Sequence, residues 1–568
     1  MTPMKILPTL TVILFATALA HAQTNTLLII GDDLGVDTIG AYKEGRAPAP
    51  TPNIDKLAAQ GVLFRNAYAA PWCTPSRANY MTGRYGFRTG VGRAGVPLPL
   101  SETTLPEILP GSYATAVIGK WHLGGSRPSS NHPNRTGWDH FSGSLGGFFR
   151  GSETYYRWNK VVNGAASTSN VYSTTDNVDD ALSWIKAQNG AWVCSLNFNA
   201  GHTPFHAPPQ ALHTYNLTGK STQRDRLLFF KAMIQAMDTE IGRLLAGIDA
   251  ATLANTHVIF LGDNGTGGQV SEAPFTRTHA KTTLYEGGTN VPLIVSGPSV
   301  VSPGREEAAL VHAVDLFHTI AEFCGVDPAA RTSAELDGIS MVPYLQNPGQ
   351  DPLREMVYTE VFGASNTNGV AVRNDVYKLL RKTGASDEFY DLNADPFETN
   401  NLLSGSLSVV EQENFDRLDS ELSRMQDSAV WFGFGLGCAG SASAPKLSAN
   451  AGDRPVLGQT FTAEISDFKA SVTACMGIFG FSRTQYGAVT LPLDLTPYSA
   501  PGCTLYVSMD VLFPLTVAGG KSTWSLAVPP DSGLLGFRFY QQGVVFEAGA
   551  NVHNAILTNA GEGCIEIN

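Results

Sequence analysis

Thr26-Leu27-Leu28-Ile29-Ile30-Gly31-Asp32-Asp33 is an apolar run that ends in a glycine and two acids. It does not alternate with polar residues, which suits a strand buried on both faces. The arrangement recurs. Ala114–Ile118 is followed by Gly119-Lys120-Trp121-His122, Trp192–Phe198 by Asn199-Ala200-Gly201-His202, and His257–Leu261 by Gly262-Asp263-Asn264-Gly265. Val291–Val295 is a fifth apolar run. Amphipathic helices lie between them. The clearest places Phe230, Met233, Ile234, Met237, Ile241, Leu244, Leu245 and Ile248 on one stripe. Strand-helix alternation predicts an α/β fold over residues 23–348, a large, mixed, mostly parallel sheet sandwiched by helices.

The rest of the chain reads differently. Residues 349–432 carry short strand-like runs (Val370–Arg373, Val376–Leu380, Glu388–Leu392) and then a helical period from Val410 to Met425, which predicts a small α+β subdomain. A Gly/Ala/Ser-rich linker is expected over 433–445. Beyond it, Thr460–Ile465, Thr504–Leu512, Ser522–Val528 and Gly543–Phe546 predict an appended all-β domain over 446–568. At the other end, Lys5, the apolar Ile6–Ala20 and Ala20-His21-Ala22 read as a signal peptide over 1–22, implying a secreted or periplasmic protein. The apolar run is shorter than the ~20 residues of a spanning helix, so no stable membrane span is expected. The formal charge is −12 and no long basic run occurs, which argues against a nucleic-acid partner. Of seven cysteines, Cys438, Cys475, Cys503 and Cys564 can form two disulfides in an oxidising compartment, in any of three pairings. Cys194 and Cys324 read as buried thiols.

In an open α/β sheet, ligands bind beyond the carboxyl ends of the strands. Four strands here deliver acids, an amide, a lysine and two histidines to that edge. Asp32, Asp33, Asp263 and Asn264 offer hard oxygen ligands, which suit Ca²⁺ or Mg²⁺; each pair can equally cap the turn that follows it. In Cys73-Thr74-Pro75-Ser76-Arg77, Thr74 reads as an N-cap and Pro75 as first-turn proline. Residue 73 then sits at a helix N-terminus, where free N–H groups favour an anion. A reactive thiol and a buried structural cysteine are both open on this segment alone.

Cys73-Thr74-Pro75-Ser76-Arg77 through Thr82-Gly83-Arg84 resembles the first signature of the type I sulfatases, formylglycine-dependent members of the alkaline phosphatase superfamily. Ala116–Gly124 resembles the second, and the likeness continues through Thr51-Pro52-Asn53-Ile54-Asp55, Leu336-Asp337-Gly338 and Phe389-Tyr390-Asp391-Leu392. The resemblance implies that a formylglycine-generating enzyme oxidises Cys73 to Cα-formylglycine, and that Asp32, Asp33, Asp263 and Asn264, with residue 73, bind calcium. It implies that Arg77 and Lys120 hold the nucleophile and the anion, and that His122 assists hemiacetal breakdown. His202, in His202-Thr203-Pro204, and Lys281, ahead of Glu286-Gly287-Gly288, are implied as sulfate ligands that aid leaving-group departure.

The implied substrate is a sulfated small molecule or glycan. The segment from Gly137 to Tyr156 resembles the arylsulfatase B-like branch, which hints at a sulfated carbohydrate. His206 and His279 match no catalytic position and are expected at most as substrate contacts. Asn290 stands where the family often has arginine, and a local packing change is expected there. Two other readings compete: a phosphonate monoester or phosphodiester hydrolase of the same superfamily, and a non-catalytic sulfated-glycan-binding protein.

Overall fold

The computed structural model describes residues 23–147, 153–332, 334–363, 368–434, 437, 438, 440, 444–450, 453–483, 485–531, 534 and 537–565. The expected leader, 1–22, lies outside them, as does 148–152 within the segment that resembles the arylsulfatase B-like branch. The chain divides into two compact units, residues 1–408 and 409–568.

The first unit is built on a sheet of ten strands. In chain order they are β1 (Asn25–Gly31), β2 (Gly61–Tyr68), β3 (Ala114–Lys120), β4 (His140–Ser144), β5 (Trp158–Val162), β6 (Ala165–Ser169), β7 (Trp192–Asn197), β8 (Thr256–Gly262), β9 (Leu293–Ser296) and β10 (Arg305–His312). Their spatial order is β10-β2-β9-β8-β1-β7-β3-β4-β5-β6. The central strands β8, β1, β7, β3 and β4 are parallel, β9 runs against both its neighbours, and β5 and β6 form an antiparallel hairpin. All seven residues of β1 are buried, because apolar layers cover both faces of the sheet. Each such leucine or isoleucine contributes roughly 1.5–3 kcal/mol of transfer free energy. The helix Arg226–Gly247 buries Phe230, Met233, Ile234, Met237, Ile241 and Leu244 against one layer, as its stripe predicts.

The apolar runs fall on β1, β3, β7, β8 and β9. The fifth begins two residues later than expected, since Pro292 has no N–H for the ladder. Strands β2, β10 and the hairpin were not expected from the sequence. Their patterns include half-exposed or exposed polar residues, such as Arg65, Asn66 and most of β6. A separate antiparallel sheet follows in this unit, formed by Val357–Val361, Gly369–Arg373, Tyr377–Lys382 and Glu388–Asp391 in that order.

The second unit begins with the helix Val409–Val430, which packs on the strands Trp431–Phe434 and Ala555–Cys564. Composition alone placed the change at 433. Gly433 and Phe434 instead complete a strand paired with Ala560 and Gly561. Two antiparallel sheets enclose a core that includes Phe461, Ile465, Trp524, Phe539 and Val545. The expected strand Thr504–Leu512 is split into Thr504–Leu505 and the start of Val511–Leu515. Among the described residues one disulfide is seen, Cys438–Cys503, and Cys475 is a buried free thiol, so the expected second disulfide does not form. Cys194 and Cys324 are buried free thiols, as expected.

Candidate active site

The carboxyl ends of β1, β7 and β8 are held level by backbone bonds that continue past the strands. Asp32 N–H donates to the Ala200 carbonyl at 2.9 Å, Gly201 N–H to the Asp32 carbonyl at 2.8 Å, and Asp263 N–H to the Gly31 carbonyl at 3.1 Å. This brings together residues far apart in sequence. Lys120 Nζ bonds Asp32 Oδ2. Arg77 bonds Asp263 Oδ2 through Nε at 3.1 Å and Nη2 at 2.8 Å, and the Lys120 carbonyl through Nη1 at 3.1 Å. All four of these residues are fully buried. Gly119, at φ +96°, turns the chain just before Lys120; a Cβ there would lie 2.0 Å from the Asn197 carbonyl oxygen.

Asp33 faces a different set. Its Oδ1 accepts from Lys281 Nζ and, at 3.0 Å, from Asn264 Nδ2, while His202 Nε2 is 3.8 Å from Oδ2. Asp33 and His122 both occupy the left-handed region, at φ 61° and 57°. Such positions cost of order 1–3 kcal/mol each and cluster where a side chain must be aimed.

Cys73 opens the helix Cys73–Thr82. Trp72 rather than Thr74 occupies the N-cap, and the Thr74 hydroxyl is buried without a hydrogen-bond partner, so the expected cap is not made. Residue 73 is nevertheless at the helix N-terminus. Its Sγ lies 3.2 Å from His122 Nδ1. Burial pushes the Cys73 thiol up, against the pull of Lys120 and Lys281. A thiol held protonated is a poor nucleophile. Burial lowers His122 well below its usual value, with Lys120 and Arg77 adding to the effect. Burial also lowers His202, to about 4, although Asp33 pulls it up. Burial alone would raise Asp33, but Lys281 and His202 outweigh it and hold the carboxyl below its usual range.

A cavity of about 540 Å³ opens over this cluster. Cys73, His122, His202 and Lys281 line it, whereas Arg77 and Lys120, and the acids Asp263 and Asp32 they bond, do not. The backbone of Gly147 lies against the His122 ring, and a Cβ there would meet Nε2 at 2.3 Å. Glu153 and Asn159 also line the cavity and were not singled out in the sequence. His206 and His279 do not line the cavity. His206 stacks on Tyr155, and His279 on Tyr285. Asn290, in place of the usual arginine, sets its Nδ2 3.4 Å from Glu286 Oε2.

Ligand atoms of Asp32, Cys73 and Asp263 all lie within 4.8 Å of one another. Asp32 Oδ1 and Asn264 Oδ1 are buried oxygens with no hydrogen-bond partner. Buried polar atoms are rarely left so, and the atoms orphaned here are oxygens, as a hard cation requires. Burial pushes the Asp32 carboxyl up against the pull of Lys120, and Asp263 and Asp33 add to the rise. Both features fit a divalent cation at this point.

The architecture and the strand-end cluster define an α/β protein with acidic and amide oxygens gathered at one sheet edge, near a cavity lined by Cys73, His122, His202 and Lys281. A family model described as Sulfatase matches residues 24–326, and one described as N-sulphoglucosamine sulphohydrolase, C-terminal, matches 276–428. The chain belongs to the sulfatase family. It is similar to N-acetylgalactosamine-6-sulfatase of Sus scrofa, 33% identical over 369 residues that cover 57% of this chain and 66% of that protein. It is similar to arylsulfatase A of Bos taurus, 29% identical over 73% of this chain and 88% of that one. Among solved structures, Ps i-CgsB in complex with k-i-k-neocarrahexaose superposes with a TM-score of 0.59 at 25% identity, covering 72% of this chain and 92% of that chain. The chain thus spans just under two thirds of the N-acetylgalactosamine-6-sulfatase it matches. The match to 428 reaches into the helix Val409–Val430, which packs with the second unit.

Proposed function

We propose that this chain is an exported sulfuric ester hydrolase that removes sulfate from a sulfated carbohydrate. The observation that carries the reading is the pair of partnerless buried oxygens, Asp32 Oδ1 and Asn264 Oδ1, together with the gathering of Asp32 and Asp263 at residue 73, which lines a cavity with Lys281, His122 and His202. The named activity of the N-acetylgalactosamine-6-sulfatase relative and the oligosaccharide bound to Ps i-CgsB support a glycan substrate. The leader-like residues 1–22 support export.

Asp32, Asp33, Asp263 and Asn264 would hold calcium, which supplies Lewis-acid binding of a sulfate oxygen and favours ionisation of the attacking hydroxyl. Cys73, once oxidised by a formylglycine-generating enzyme, would supply that hydroxyl as an aldehyde hydrate. Lys120, Arg77 and Lys281 match the three acids in charge, so a divalent cation leaves the site net positive and suited to an anion. Lys120 and Arg77 hold Asp32 and Asp263 in place. Lys281 faces the cavity and binds the ester's sulfate oxygens. His202 Nδ1 donates to the Thr203 carbonyl at 3.0 Å, which leaves Nε2 as the nitrogen on the Asp33 side. An incoming anion favours the protonated ring, so His202 gives its Nε2 proton to the departing alkoxide. His122 Nδ1, beside residue 73, accepts the proton released when the nucleophile is regenerated. The β-sheet part of the second unit is read as accessory.

Tryptic mass spectrometry of the protein from its native host, with turnover of p-nitrophenyl sulfate and phenyl phosphonates, tests the reading. The expected peptide around residue 73 is lighter than the cysteine form by one sulfur and two hydrogens less one oxygen. A wholly unmodified cysteine favours a non-catalytic glycan-binding protein. Strong preference for the phosphonate esters favours the phosphonate or phosphodiester hydrolase.

A further inference from the structure

His202 is carried by a turn, 199–203, that leaves the end of β7 with little secondary structure of its own. What fixes it comes from another loop. Tyr155 precedes β5 and is fully buried. Its hydroxyl lies 2.6 Å from the Asn199 carbonyl and 2.7 Å from the His202 carbonyl of that turn, its one proton shared between them. The His202 carbonyl and the Thr203 carbonyl that accepts from His202 Nδ1 are successive backbone groups, so holding the first orients the second. The Tyr155 ring is clamped in turn. His206 stacks on it at 4.0 Å between ring centroids, and His206 Nε2 lies 3.2 Å from the Tyr172 hydroxyl. Tyr156 sends its own hydroxyl to the Ala207 carbonyl at 2.7 Å. The 153–157 loop is therefore bolted to both ends of the segment carrying His202.

We propose that Tyr155 is a positioning residue for His202, aiming its Nε2 at the leaving-group oxygen of the ester. The inference rests on the reading of His202 as leaving-group acid. The Tyr155 hydroxyl bonds the backbone on both sides of Ala200 and Gly201, and the His202 side chain follows directly on that backbone, so loss of the hydroxyl is expected to act on the leaving-group step more than on sulfate binding. General acids matter most when the leaving alcohol is a weak acid, as in a sugar, and least for p-nitrophenolate.

The test is the ratio of kcat on an alkyl or sugar sulfate to kcat on p-nitrophenyl sulfate, compared between wild type and Tyr155→Phe, which keeps the ring and its stack. Misplacing a catalytic group can cost up to about 100-fold. The expected result is a loss of about tenfold or more on the sugar sulfate and under about threefold on p-nitrophenyl sulfate, with KM unchanged. His202→Ala must shift the ratio in the same direction, and Tyr498→Phe, an exposed tyrosine of the second unit, must not shift it. Equal losses on both esters, or none, overturn the proposal while leaving the sulfatase reading intact. A wild type that turns over neither ester removes both. Folding is checked by the thermal midpoint. If Tyr155→Phe does not fold, 3-fluorotyrosine at 155 retains the contacts but alters donor strength, and a ratio that stays unmoved there also overturns the proposal.

Discussion

Asp32 and Asp33 are adjacent in sequence but belong to two electrostatic layers. In the deep layer, Asp32 with Lys120 and Asp263 with Arg77 form pairs whose side chains are 0% exposed. In the outer layer, Asp33, Lys281 and His202 keep side-chain exposures of 11–15%, and Lys281 and His202 line the cavity. A fully buried charge must keep its partner, because no water can replace it. A group at the cavity wall can trade its partner for an incoming anion. Under the proposed function, the deep layer would hold the cation ligands in place and the outer layer would meet the substrate.

The largest test of that division is Cys73→Ala, which removes the precursor of the nucleophile without disturbing either layer. Sulfate-ester turnover is expected to fall to background while the urea unfolding midpoint stays near that of the parent. Next is Lys281→Ala in the outer layer. Its kcat on sulfate esters should drop by about 10²–10⁴, as for loss of a positioned acid or anion ligand, with only a small change in stability. In the deep layer, Lys120→Met strands a buried carboxylate. It should cost about 3–5 kcal/mol in denaturant unfolding of the metal-free protein, and a loss no larger than that of Lys281→Ala breaks the comparison.

A buried acid without a cation beside it sharpens the contrast. Glu360 accepts from Phe87 N–H at 2.8 Å and from the Tyr358 hydroxyl at 3.2 Å. Burial raises its carboxyl from 4.5 to about 7, with Asp337 adding to the rise. Because the folded state holds this proton more tightly than the unfolded chain, the group costs nothing below pH ~4.5. It destabilises the fold increasingly as pH rises to about 7, by at most about 3 kcal/mol. Glu360→Gln should flatten that part of the stability–pH curve. An unchanged curve by urea titration from pH 4.5 to 8 contradicts it.

Much of the site was legible as local pattern. Apolar runs ending in Gly31-Asp32-Asp33 and Gly262-Asp263-Asn264 marked strand ends, and those ends lie side by side in the sheet. The less legible parts have polar or mixed patterns. The hairpin of β5 and β6 shows little buried alternation, and its burial depends on β4 beside it. Tyr155 lies within a quoted segment, yet nothing around it in sequence announces that its hydroxyl reaches two carbonyls more than forty residues on. The two histidines expected as substrate contacts were placed near the site by sequence distance alone, and packing turned both onto tyrosine rings.

The sequence by itself determined that a parallel α/β sheet would form and which residues would stand at its edge, because hydrophobic periodicity and strand termini are local properties. It also placed residue 73 at the start of a helix. Only the tertiary structure decided which acid meets which base. Lys120 bonds Asp32 across 88 positions, Arg77 bonds Asp263 across 186, and Lys281 bonds Asp33 across 248. Those pairings depend on strand order in the sheet, and that order sorts two adjacent aspartates into a fully buried layer and a partly exposed one.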